Sequence, residues 1–191
     1  VGGAMVESIV VDNDQQYESI PGFGEKRDYH NLSREEIVSI VRDAGIVGLG
    51  GAGFPTFVKL SPKEIDKIDL FLVNGAECEP YLTSDYRDMM EMPEKLIGGL
   101  QVVLSIFPNA KGKICIEDNK PEAIKLLTEK VKGMDNIEVV ALRTRYPQGG
   151  ERQLIYAASV RKINSSMLPA DAGVVVDNVD TVVAIYEAVC E

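Results

Sequence analysis

The chain has 191 residues, 45% hydrophobic and 26% charged, which fits one folded globular domain with room for an appendage. Its 30 acidic and 20 basic residues leave a formal charge of -10, which excludes a basic nucleic-acid surface and leaves any anionic cofactor to local donors. The three scattered cysteines, Cys78, Cys115 and Cys190, lack Cys-x-x-Cys spacing, and the single histidine, His30, gives no basis for a Ser-His-Asp triad.

Residues 6–11 include Val6, Ile9, Val10 and Val11 and read as a short strand, with Asp12-Asn13-Asp14 as its turn. Pro21-Gly22-Phe23-Gly24 reads as a linker. Ser33 with Glu36 three residues on is a capping-box pattern, and Ile37, Val38, Ile40 and Val41 follow, so a helix is expected over 33–44 with Gly45 as its stop. A glycine-dense loop spans 48–53. The apolar run 70–73 predicts a buried strand. Pro93 opens a helix to about 106, residues 113–116 form a second strand, and Pro121 opens a helix to about 132. A third strand is expected over 137–142, a helix over 150–160, a fourth strand over 174–176 and a closing helix over 177–189. Strands alternating with helices predict an α/β domain, a mostly parallel sheet with helices on both faces. No apolar run approaches the roughly 18 residues of a membrane helix, so direct membrane insertion is not expected.

Four segments carry chemistry. Gly48-Leu49-Gly50-Gly51-Ala52-Gly53 satisfies G-x-G-x-x-G, but a helix rather than a strand precedes it, so the standard dinucleotide fingerprint fails its context test. Glycines without Cβ still let a ring or phosphate approach the backbone, free N–H groups there can form an anion nest, and Lys59 can add a charge. The alternative is a tight surface loop with a solvated lysine. Asn74-Gly75-Ala76-Glu77-Cys78-Glu79-Pro80 follows the first buried strand, where open α/β sheets bind ligands; the alternative is a solvated acidic turn. Gly149-Gly150 before a helix offers N–H groups to an anion, or is an ordinary turn. Asp177-Asn178 follows the fourth strand and is either part of the same site or a plain N-cap.

Taken together these segments resemble a known family. Gly48-Leu49-Gly50-Gly51-Ala52-Gly53-Phe54-Pro55-Thr56, followed by Lys59, resembles the flavin loop shared by the C component of Rnf ion-pumping complexes and the NADH-binding flavoprotein subunit of respiratory complex I. The stretch from Asn74 to Arg87, Tyr146-Pro147-Gln148-Gly149-Gly150-Glu151, Leu168-Pro169-Ala170-Asp171 and Asp177-Asn178-Val179-Asp180-Thr181 resemble the Rnf version in the same order. The resemblance covers roughly residues 30–191. Three positions depart from the complex I pattern: Ala76 replaces an acidic residue, Arg152 a glutamate and Asp177 an asparagine.

The resemblance implies a Rossmann-like domain, residues 26–191, that binds FMN and exchanges a hydride with NADH. Residues 1–25 would be the remnant of a preceding small β domain and a linker. The downstream β-grasp-like and iron–sulfur domains would be missing from what looks like an excised fragment. By the same resemblance Gly48, Gly50 and Lys59 cradle FMN, with Gly51 and Gly53 in the same loop. Asn74, Glu77, Gly150, Glu151 and Asn178 contact the flavin or its tail, and Phe54 and Glu79 hold the nicotinamide nucleotide. Arg152, if it enters the cleft, pairs with a phosphate or closes on Glu79. No catalytic side chain and no metal site are expected, since the flavin carries the chemistry. The implied partners are the other Rnf subunits, NADH/NAD and, indirectly, ferredoxin. The implied location is cytoplasmic, peripheral on the inner face of the cell membrane through the complex. Alternatives are a related cobalamin reductase or amino-acid-reductase electron-transfer protein and, from another class, a flavin-free scaffold.

Overall fold

The computed structural model describes residue 5, residues 7–19, 21 and 22, and residues 24–191. Local sequence sets many element ends. The Ser33 side chain accepts from the Glu36 backbone N–H and the Glu36 carboxylate accepts from the Ser33 N–H, closing the capping box on α1 (Arg34–Asp43). Gly45 follows at φ +69°, the left-handed conformation that ends the helix cheaply. A four-residue α2 (Thr56–Lys59) follows the glycine loop. Then come β1 (Leu70–Gly75), α3 (Ser84–Glu91), α4 (Pro93–Ile106), β2 (Lys111–Glu117), α5 (Pro121–Lys130), β3 (Ile137–Leu142), α6 (Glu151–Ser159), β4 (Val174–Asn178) and α7 (Val179–Cys190). Pro93 and Pro121 each sit in a first helical turn, where a missing N–H costs nothing.

The four strands form one sheet in the order β3-β2-β1-β4, parallel throughout. The chain steps from β1 to β2 to β3 and then crosses back to the far side of β1. Right-handed crossovers require that reversal to change faces. Accordingly α4, α5 and α7 pack with Phe71, Val73, Ile114 and Val175 on one face, joined by α1 and α3. On the other face α6 packs Leu154, Ile155 and Ala158 against Leu70, Leu72, Cys115 and Val176. Both faces are covered, as expected, but unevenly.

Two expectations need correction. Residues 7–11 form no strand: Ile9, Val10 and Val11 are 94%, 87% and 81% exposed, and Val6 lies outside the described residues, as does Phe23 of the linker. A strand needs a partner for its backbone groups, and none pairs with this segment among the described residues. The closing helix starts at Val179 rather than at 177, because Asp177 and Asn178 still pair as strand residues with Val73 and Asn74.

Candidate functional site: a crevice at the reversal of strand order

The point where strand order reverses lies between β1 and β4, and open α/β sheets leave a crevice there, outside the strands' carboxyl ends. Asn74 and Asn178 are register partners across that gap. The Asn74 side chain donates to the Gly149 carbonyl at 3.0 Å and accepts from the Ala76 N–H, tying β1 to the turn before α6. The Asn178 carboxamide caps α7 by accepting from the Asp180 N–H and donates to Asp85 of α3 at 2.9 Å. It therefore serves as the N-cap that its position suggested and also faces the crevice.

The glycine loop closes over this end of the sheet. Gly48 donates to the Phe54 carbonyl, Gly53 donates to the Gly48 carbonyl, and the Leu49 N–H donates to the Thr181 hydroxyl of α7. Those three bonds hold the loop while the N–H groups of Gly50, Gly51 and Ala52 donate to no protein acceptor among the described residues. Gly51 and Gly53 have φ of +105° and +61°, which favours glycine at both. A Cβ at Gly50 would lie 3.2 Å from the Asn178 Cβ, so loop and strand end are in close contact. Phe54 is 46% exposed at the loop's far end.

Lys59, at the end of α2, donates to the Val176 carbonyl at 2.7 Å and to Asp177 Oδ1 at 3.0 Å. Asp177 is 2% exposed and its Oδ2 has no hydrogen-bond partner. Burial pushes its carboxyl up to about 6 despite Lys59, and Glu151 adds to the rise. An ammonium has three donors, so one Lys59 N–H remains for a ligand. Gly150 caps α6 without a side-chain bond, so the first N–H groups of that nine-residue helix stay open beside Asn74 and Gly149.

An acidic group flanks the crevice. Burial raises Glu77, with Asp85 adding to it, and burial also raises Asp85. Burial, then the charges of Asp180 and Asp85, pushes Asp88 up to about 6. Glu77 accepts from the Asp85 N–H at 3.0 Å and so fixes the loop to α3 rather than standing free. Glu79 lies in an adjoining hollow of about 440 Å³ with Glu77, Tyr81, Lys120 and Arg145. Arg152 does not close on Glu79; it donates to the Ser165 carbonyl at 3.3 Å. A larger hollow, about 500 Å³, lies between α4, α7 and residues 26–29 and contains none of the expected site residues.

The structure thus brings Gly48, Gly50, Gly51, Gly53, Asn74, Asn178, Lys59, Gly150 and Glu151 to one end of the sheet, with Glu77 beside them. Sequence reading missed Asp177 as the partner of Lys59, Asp85 as the partner of Asn178, and Thr181 as the anchor of the loop. All three lie inside the motifs quoted above, but nothing local marks contacts that span 118, 93 and 132 residues.

The crevice suits a phosphorylated planar cofactor on three observations. The loop over it lacks Cβ atoms at Gly48, Gly50, Gly51 and Gly53, several backbone N–H groups are open, and Lys59 uses two of its three N–H groups within the protein. The chain is 45% identical over 188 residues to the C component of the proton-translocating ferredoxin:NAD(+) oxidoreductase complex of Clostridium ljungdahlii, covering 98% of this chain and 41% of that protein. It is 43% identical over 186 residues to the Na(+)-translocating counterpart of Acetobacterium woodii, covering 97% and 42%. The chain therefore spans about two fifths of the length of these relatives. It shares its fold with a chain of an NAD+-reducing [NiFe]-hydrogenase, at TM-score 0.75 and 24% identity over 86% of this chain and 31% of that one. A family profile described as the Nuo51 FMN-binding domain matches residues 41–187, well over half of the chain, and the chain belongs to that family.

Proposed function

We propose that the crevice between the glycine loop and the carboxyl ends of β1 and β4 binds FMN, and that the chain is the flavin domain of the C component of an ion-translocating ferredoxin:NAD(+) oxidoreductase complex. The observation that carries this reading is the pairing of Asn74 with Asn178 at the strand-order reversal, beneath a loop whose Gly50 touches Asn178. Bound FMN would exchange a hydride with a nicotinamide nucleotide and release electrons singly to iron–sulfur centres elsewhere in the subunit.

The chain's own residues bind and orient. Gly48 and Gly50 let the flavin lie against the backbone, and the free N–H groups of Gly50, Gly51 and Ala52 donate to its oxygens. Asn74 and Asn178 hold the floor rigid through Gly149 and Asp85, and Lys59 offers its remaining N–H to the anionic part of the ligand. The open N-terminus of α6, at Gly150 and Glu151, supports the flavin tail. Phe54 and Glu79, both exposed, would receive the nicotinamide nucleotide from the solvent side. Among the described residues no helix is long and apolar enough to cross a membrane. In this reading the domain is peripheral on the inner membrane face, held there through the complex.

Fluorescence titration with FMN, followed by an absorbance spectrum of the loaded protein, tests the reading. Saturable quenching with a shifted flavin spectrum is expected, and loss of both in Gly50→Val. A chain that leaves FMN fluorescence unchanged is a scaffold with the fold and without the cofactor.

A further inference from the structure

A buried ion pair normally satisfies both of its partners, because an unpaired carboxylate oxygen away from water is costly. The Lys59–Asp177 pair does so only on one side. Lys59 gives one N–H to Asp177 Oδ1 and one to the Val176 carbonyl, and its side chain is 25% exposed. Asp177 has a side chain with no exposure, and its Oδ2 is buried without a partner. Of the charged groups that act on Asp177, Lys59 of α2 lowers its pKa and Glu151 at the start of α6 raises it. A free anion approaching Lys59 therefore meets a cation already neutralised by Asp177, with Glu151 adding negative charge.

We infer that Lys59 and Asp177 act together as a proton-coupled anion receptor, in which an anion binding at Lys59 draws one proton from solvent onto the Asp177 carboxyl. This rests on the FMN reading of the same crevice. The proton goes to Oδ2, where a neutral hydroxyl replaces an unpaired charged oxygen, and Lys59 is freed to serve the ligand's charge. No other bond is made or broken. The carboxyl already binds its proton more tightly than usual, with a value of about 6, so the transition falls in an accessible range. Linkage makes the coupling reciprocal: if the anion favours the protonated form, acid favours the anion. Asp177 is thus a positioning residue that sets the charge of the ligand's cation and need not touch the ligand.

The test compares the wild-type chain with Asp177→Asn, which keeps the shape and an acceptor for Lys59 but cannot ionise. FMN, and inorganic sulfate as a probe that keeps its charge, are titrated from about pH 5 to about pH 8. The ratio of the two proteins' affinities cancels the ligand phosphate's own titration near pH 6. The expected result is near-equal affinity at pH 5 and about tenfold tighter binding by Asp177→Asn at pH 8, equivalent to about a one-unit rise of the Asp177 pKa on binding. Calorimetry in two buffers of different ionisation enthalpy should show proton uptake by the wild type beyond that of the variant. Asp177→Ser serves the same comparison if Asp177→Asn does not fold. A pH-independent ratio, or weaker binding by Asp177→Asn at pH 8, overturns the inference while leaving the FMN site standing. If neither protein binds FMN or sulfate at any pH, the crevice reading falls and this inference falls with it.

Discussion

Gly149→Ala would show how tightly the crevice is built. A Cβ at this position would lie 2.4 Å from the Ala76 carbonyl oxygen, a backbone atom, and 3.4 Å from the Cys78 sulfur. An ordinary contact needs roughly 1 Å more, so either the turn before α6 or the end of β1 must move. The Gly149 carbonyl is also the acceptor for Asn74 at 3.0 Å, and a shift of that size breaks this bond. The lost hydrogen bond costs about 1 kcal/mol, and crowding costs about 1–3 kcal/mol. Against that, replacing glycine stabilises by about 0.4–1 kcal/mol through the unfolded chain. The net loss is about 1–3.6 kcal/mol, or roughly 2–14 °C in Tm for a chain of this size. Urea unfolding followed by circular dichroism measures the loss, and FMN titration at a temperature where both proteins are folded measures its effect on the site. The affinity should fall because Asn74 and the start of α6 no longer hold the same spacing. A variant as stable as the wild type, with equal FMN affinity, would refute the tie between Asn74 and Gly149 and the role given to it.

Lys59→Ala removes the hydrogen-bond partner of a buried carboxylate and should lower stability by about 3 kcal/mol at pH 8. The deficit should shrink at pH 5 as Asp177 takes a proton, which melts at the two pH values would show; its FMN affinity should fall about ten- to a hundredfold. In the wild type, the raised Asp177 pKa contributes stability that is present below 3.8 and lost as pH rises through about 6, at most about 3 kcal/mol. Asp177→Asn should remove this sloping component from the plot of unfolding free energy against pH. Gly99→Ala should cost more than its helix propensity returns, because its Cβ would lie 2.1 Å from the Val182 carbonyl oxygen where α4 crosses α7. Unfolding in urea should show a loss of about 1–3 kcal/mol.

What the sequence determined by itself is local. The capping box at Ser33, the prolines opening α4 and α5, and the apolar runs of β1, β2 and β4 each depend on neighbours within a short stretch of chain, and they formed where they were expected. The glycine loop, the Asn74 and Gly149 segments and the Asp177-Asn178 segment were legible as element ends, because glycine and asparagine favour turns and caps, and the fold brings them to one end of the sheet. Helix α3 went unread because Ser84–Glu91 is short and mainly polar, with only Tyr86, Met89 and Met90 as its apolar stripe. The apolar stretch near Ile9 read as a strand because strand propensity is local, whereas a strand's backbone bonds must come from another segment. Only the tertiary structure decided that β4 returns beside β1, and that placement sets Asn178 against Asn74 and Lys59 against Asp177. The physical reason is that crossover handedness and face burial are properties of the packed sheet. Residues far apart along the chain meet only after those choices are made.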